Sequence, residues 1–67
     1  MRIFSIYDTQ TSRQARNLWE SNLSDAVRPW FKDVDNKRVR DAIDALSVPG
    51  KRKAAARYLG LELECCA

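Results

Sequence analysis

Two strand-like stretches stand near opposite ends of this chain, and that placement constrains the fold more than any other feature. Residues 2 to 7, Arg-Ile-Phe-Ser-Ile-Tyr, are β-branched and aromatic and run into Asp8-Thr9, which reads as a short strand closed by a turn. The only other such stretch is Leu61-Glu62-Leu63-Glu64-Cys65, where apolar residues alternate with acids at a period of two. A lone strand leaves its backbone donors and acceptors without partners. The two segments are therefore expected to pair as a two-stranded ribbon beside whatever lies between them.

What lies between reads as helix. Thr11 and Gln14 have capping-box spacing, and Ala15, Leu18, Trp19 and Leu23 follow at helical intervals, predicting a first helix from about Ser12 to Asn22 with Trp19 on its buried face. Ser24-Asp25 has the chemistry of a cap for a second helix, but Pro29 disfavours helix at Arg28. The alternative is a turn over 24 to 28 and a short helix beginning at Pro29 that carries Trp30, Phe31 and Val34.

Asp35-Asn36 caps the next helix, whose Val39, Ala42, Ile43 and Leu46 give the clearest amphipathic pattern in the chain. Ser47-Val48-Pro49-Gly50 breaks it. Lys51 to Leu59 then forms a last helix, with Gly60 suited to the left-handed residue that ends it. The expected class is mostly α: three to four short helices with a two-stranded ribbon formed by the N- and C-terminal segments.

Sixty-seven residues make one small domain, residues 1 to 67, which would bury about 60% of its unfolded surface and fold with little to spare. With 45% hydrophobic residues, two glycines and two prolines, it is too apolar and too poor in breakers for a disordered tail. Cys65 and Cys66 are adjacent, so a bond between them closes no useful loop; they read as strand filler or frayed tail rather than reactive thiols. No apolar run is long enough for a signal peptide or a membrane span, and no prenylation box is present, so a cytoplasmic setting without a membrane is expected.

Charge is sorted along the chain. From Lys37 to Arg57, seven basic residues face two acids, a local balance of +5 that leaves −2 for the rest of a chain whose total is +3. Such sorting favours one electropositive surface. Lys37 and Arg38 fall in the first turn of one helix and Lys51, Arg52 and Lys53 in that of the next, where the helix dipole disfavours each cation by a few tenths to about 1 kcal/mol. Cations kept there are either solvated at small cost or used to hold an anion.

Enzymatic chemistry finds no support. The chain has no histidine, no glycine-rich phosphate loop and no set of metal ligands, and two adjacent cysteines without histidine do not make a zinc site. No cofactor is expected. Asp41 and Asp44 alternate with arginines and read as salt-bridge partners.

Residues 40 to 62, RDAIDALSVPGKRKAAARYLGLE, resemble the first two helices of the helix-turn-helix found in bacterial enhancer-binding activators and nucleoid inversion factors. The resemblance implies that Ala55 and Ala56 pack against the turn, Leu59 fills the core and Gly60 permits the tight turn. The family's recognition helix would fall in residues 61 to 67, which hold two acids and no Arg, Lys, Asn or Gln, the side chains that usually read bases. Any contact with nucleic acid is then expected through phosphates, salt-sensitive and weakly specific.

Trp19, Trp30, Phe31 and Tyr58 read by default as core. Trp30-Phe31, between Arg28 and Lys32, also has the composition of an interface anchor. Size, sorted charge and the lack of catalytic residues resemble small regulatory proteins of bacteriophages and other mobile elements, of the antirepressor or inhibitor type. That resemblance implies a non-enzymatic regulator binding an acidic and apolar groove on another protein, such as a repressor, through Lys37, Arg38, Arg40, Lys51, Arg52, Lys53, Arg57, Trp30 and Phe31. The alternatives are a nucleic-acid-binding module using the same basic patch, and a subunit completing a larger assembly. A homodimer that exchanges its terminal strands is compatible with the ribbon.

Overall fold

The computed structural model describes residues 2–65. In chain order it contains β1 (Ile3–Asp8), β2 (Gln14–Trp19), a 3-10 turn at Glu20–Asn22, α1 (Leu23–Val27), a second 3-10 turn at Arg28–Phe31, α2 (Lys37–Ala45), α3 (Arg52–Leu59) and β3 (Leu61–Cys65). The strands form one antiparallel sheet in the order β2-β1-β3. The expected mostly α class is thereby corrected to α+β. The terminal strands do pair, with Phe4 opposite Cys65 and Asp8 opposite Leu61, but the ribbon is two strands of a three-stranded sheet, with β1 at the centre and β3 at one edge.

The third strand occupies the segment read as the first helix, and a β-bulge explains the misreading. Phe4 pairs with Leu18 and Ile6 with Ala15, so Arg16 and Asn17 together stand opposite Ser5. One extra residue returns the chain to the core side after three positions instead of two. Ala15 and Leu18 thus share a face at an interval that imitates a helix. Asn17 takes a positive φ of 58° within the bulge, a conformation that asparagine tolerates better than most residues. Trp19 pairs with Ile3 across the strands and remains 46% exposed, contrary to the buried position expected for it.

A five-residue loop, Thr9 to Arg13, joins β1 to β2. It is closed by Asp8 N donating to the Arg13 carbonyl at 2.7 Å and Ser12 N donating to the Asp8 carbonyl at 2.9 Å. The buried Asp8 carboxylate also accepts from Gln10 N at 2.9 Å, the local bond by which aspartate stabilises turns. Thr11 therefore belongs to a hairpin rather than a helix cap. Ser12 is left-handed, with φ 61°. Ser12→Gly should accordingly raise the unfolding free energy by roughly 1 kcal/mol by removing the Cβ penalty, read as a higher urea midpoint; an unchanged or lower midpoint would show that this residue bears no strain.

The remaining elements follow the sequence reading more closely. Leu23–Val27 is a short α-helix where a turn was one expectation, and the chain tightens to 3-10 geometry at Arg28–Phe31 with Pro29 in its first turn. There the missing proline amide costs little. Asn36 caps α2, its side chain accepting from Arg38 N at 2.9 Å. Gly60 ends α3 at φ 73°, and Leu61 enters β3 directly.

Helices cover one face of the sheet. Phe4 and Ile6 of β1 and Leu61 of β3 meet Leu23, Val27, Ile43, Leu46, Ala55, Ala56 and Leu59 in a single core. Trp30 and Phe31 are half-buried against it. Ser24 ties α1 to the end of α2: its hydroxyl donates to the Ile43 carbonyl at 2.6 Å and lies 2.8 Å from Ser47 Oγ. The opposite sheet face carries exposed Tyr7, Gln14, Trp19, Glu62 and Glu64.

Candidate binding surface

The seven basic residues between Lys37 and Arg57 have different fates. Lys37 is paired with Asp41 at 2.8 Å and Arg40 with Asp35 at 3.3 Å. Just outside the run, Arg28 pairs with Asp44 at 3.0 Å. Arg38, Lys51, Lys53 and Arg57 are exposed and have no ion pair among the described residues. These four carry the uncompensated charge.

Arg52 is the correction within this set. It is 5% exposed, with Nε donating to the Leu46 carbonyl at 2.7 Å. Its guanidinium carbon lies 4.7 Å from the centre of the Phe4 ring. Nη2 is 3.2 Å from Glu20 Oε1, although not aligned for a hydrogen bond. A side chain held by a carbonyl, a ring and a carboxylate cannot reach a partner without breaking the core. Arg52 is therefore a structural clamp between α3, the end of α2 and the turn after β2.

Helical geometry explains why its neighbours differ. Arg52, Ala55, Ala56 and Leu59 form the buried face of α3, so Lys53 and Arg57, four residues apart, share the opposite face. Ala54 and Tyr58 lie beside them. Tyr58 is 56% exposed, which removes it from the expected core. It adds an aromatic surface to the basic stripe.

Next to this stripe is a shallow groove. Its lining includes Phe31, Val34, Val39, Arg57 and Tyr58. Val34 is 43% exposed, a β-branched residue with no polar role. A second groove is lined by the apolar Pro29, Phe31, Val34 and Ile43 together with charges of both signs, including Lys32, Arg40 and Asp35. Phe31 and Val34 are shared by both grooves, whereas Trp30 lines neither. Of the aromatic pair expected as an anchor, Phe31 is brought to the basic surface and Trp30 is packed on the core.

Val34, Val39 and Tyr58 were not anticipated at this surface. A signal for Tyr58 was available: the pattern Lys53-Ala54, Arg57-Tyr58 is the complement of Ala55-Ala56 and Leu59 on one helix. Val34 had none, because its exposure depends on the tertiary placement of the loop before α2, which brings it to the same groove as Arg57 and Tyr58.

Among the described residues no group of His, Cys, Asp or Glu is arranged to hold a metal, and no helix is long and apolar enough to cross a membrane. Cys65 is exposed at the end of β3, and Cys66 lies outside the described residues. Leu61–Cys65 is a strand, so these residues supply no recognition helix after α3. Comparison with protein-family models, curated proteins and solved structures finds no match to this chain.

Proposed function

We propose that this protein is a non-enzymatic regulator that binds another protein through the outer face of α3 and the groove beside it, as small phage or mobile-element inhibitors and antirepressors do. The observation that carries the reading is a set of unpaired cations, one of which, Arg57, lines an exposed groove of mixed polar and apolar character. Arg38, Lys51, Lys53 and Arg57 are free while their neighbours are neutralised, and Val34, Val39 and Tyr58 lie beside Arg57. An amphipathic acidic segment satisfies both halves. Carboxylates on its rim would meet the cations and speed encounter, while an apolar side chain in the groove would hold the complex.

A duplex phosphate backbone would use the cations and leave the groove empty. Binding to random duplex DNA is then expected to be weak and to fall steeply with salt. A chain that instead bound duplex DNA tightly at high salt would favour the nucleic-acid reading.

Lys53→Glu combined with Arg57→Glu should weaken capture of the protein partner by about tenfold or more, since two rim attractions become repulsions. Both side chains are exposed, so the helix content should be unchanged by circular dichroism. The comparison is an affinity capture from bacterial lysate with wild-type and variant protein, followed by titration of the partner recovered. Equal capture by the two proteins would remove α3 from the interface.

A further inference from the structure

We infer that the outer edge of β3 over residues 61–64 is a docking site for an extended, basic protein segment, which adds to the sheet as a fourth strand. The sheet order leaves β2 and β3 as edges, and among the described residues β3 pairs only with β1. An unpaired edge offers a row of backbone donors and acceptors, the template on which peptides add by β-augmentation. The two edges are not equivalent. β2 is interrupted by its bulge at Arg16-Asn17, with Asn17 left-handed, and such bulges blunt an edge against pairing. β3 runs in continuous register from Leu61 to Cys65.

Charge identifies the occupant. Glu62 and Glu64 are exposed on the face away from the helices, two residues apart, and neither has an ion pair among the described residues. A strand laid along β3 would place alternate side chains directly opposite them, where opposite charges attract and like charges repel. Lysine or arginine at alternate positions fits this column. A second copy of β3 does not: in any antiparallel pairing that keeps the two open faces together, a glutamate of one copy falls opposite or beside a glutamate of the other. The same two residues that admit a basic strand therefore discourage self-pairing.

This inference uses Glu62 and Glu64 on β3 rather than Lys53 and Arg57 on α3, and it stands or falls separately from the reading of α3. The probe is a synthetic peptide of alternating lysine and threonine, titrated into the protein while backbone amide shifts and hydrogen exchange are followed. The expected result is perturbation centred on Leu61–Cys65, with slowed exchange there. Glu62→Lys combined with Glu64→Lys should weaken this peptide by about tenfold and confer binding of the alternating glutamate–threonine peptide. A lysine–threonine peptide methylated on alternate backbone nitrogens keeps the charge but loses the donors, and it should not bind the wild-type protein. The inference is overturned if the methylated peptide binds as well as its parent, if the perturbation falls elsewhere or is absent at low salt, or if exchange in β3 slows with protein concentration alone.

Discussion

An Arg52→Ala variant should be largely unfolded at room temperature, although Lys51→Ala and Lys53→Ala on either side of it should be close to neutral. Truncating Arg52 leaves the Leu46 carbonyl without the donor it has at 2.7 Å, a loss of about 1–3 kcal/mol for a buried acceptor. It also removes the guanidinium from the Phe4 ring, worth about 1–2 kcal/mol when desolvated, together with the aliphatic stem packed beneath it. Glu20 is about one-third exposed, so water can solvate its carboxylate once the partner is gone, and that part of the loss is small. The total of about 3–5 kcal/mol is comparable to the whole stability of a domain this small. Arg52→Met, which keeps the stem but not the donor, should fall between, at about 1–3 kcal/mol. Urea unfolding followed by tryptophan fluorescence separates the series. If Arg52→Ala has the same midpoint as Lys53→Ala, the clamp does not exist and the three adjacent cations are equivalent.

That expectation depends on a distinction invisible in the string Lys51-Arg52-Lys53. All three residues are cationic and stand at the start of the same helix, so composition and the helix dipole treat them alike. What separates them is the face of α3 that each occupies: Arg52 shares the buried side with Ala55, Ala56 and Leu59, which turns it inward over Phe4 and toward Glu20. The capped helix over Lys37–Ala45 and the glycine-ended helix over Arg52–Leu59 were legible because their signals are local: apolar spacing, an asparagine cap and a residue free to take positive φ. Pairing of the terminal strands was legible for a different reason, since each stretch alternated and each needed a partner.

The same logic, carried one step further, would have asked for a third strand. The bulge hid it. Arg16-Asn17 inserts one residue into β2, and the resulting spacing of Ala15 and Leu18 satisfies a helical template as well as a strand. Local pattern cannot separate the two when one residue is added; the competition is decided by β1, whose second edge must be either paired or solvated. The binding surface was half legible. Its cations stood out in the sequence, but which of them are neutralised, and which apolar residues border them, follows only from the tertiary arrangement.

A pair of truncations distinguishes the bulged strand from the helix it imitates. If residues 12 to 22 were a helix with Trp19 on its inner face, Trp19→Ala would be among the most costly changes in the chain, at about 3–5 kcal/mol. In the sheet, Trp19 is half-exposed opposite Ile3, and its removal should cost only about 1 kcal/mol or less, the scale of one cross-strand pair. Leu23 behaves in the opposite way. It starts α1, is fully buried and shares the core with Val27, Ile43 and Leu46. Leu23→Ala should leave a cavity and cost about 2–5 kcal/mol, enough to unfold much of the population of a small domain. Trp30 remains as the fluorescent reporter in both variants, so urea midpoints can be compared directly. The order of the two losses is decisive: a larger loss for Trp19 than for Leu23 would restore the helix and remove the third strand, whereas the reverse order requires a sheet that exposes the indole and a helix that begins only at Leu23.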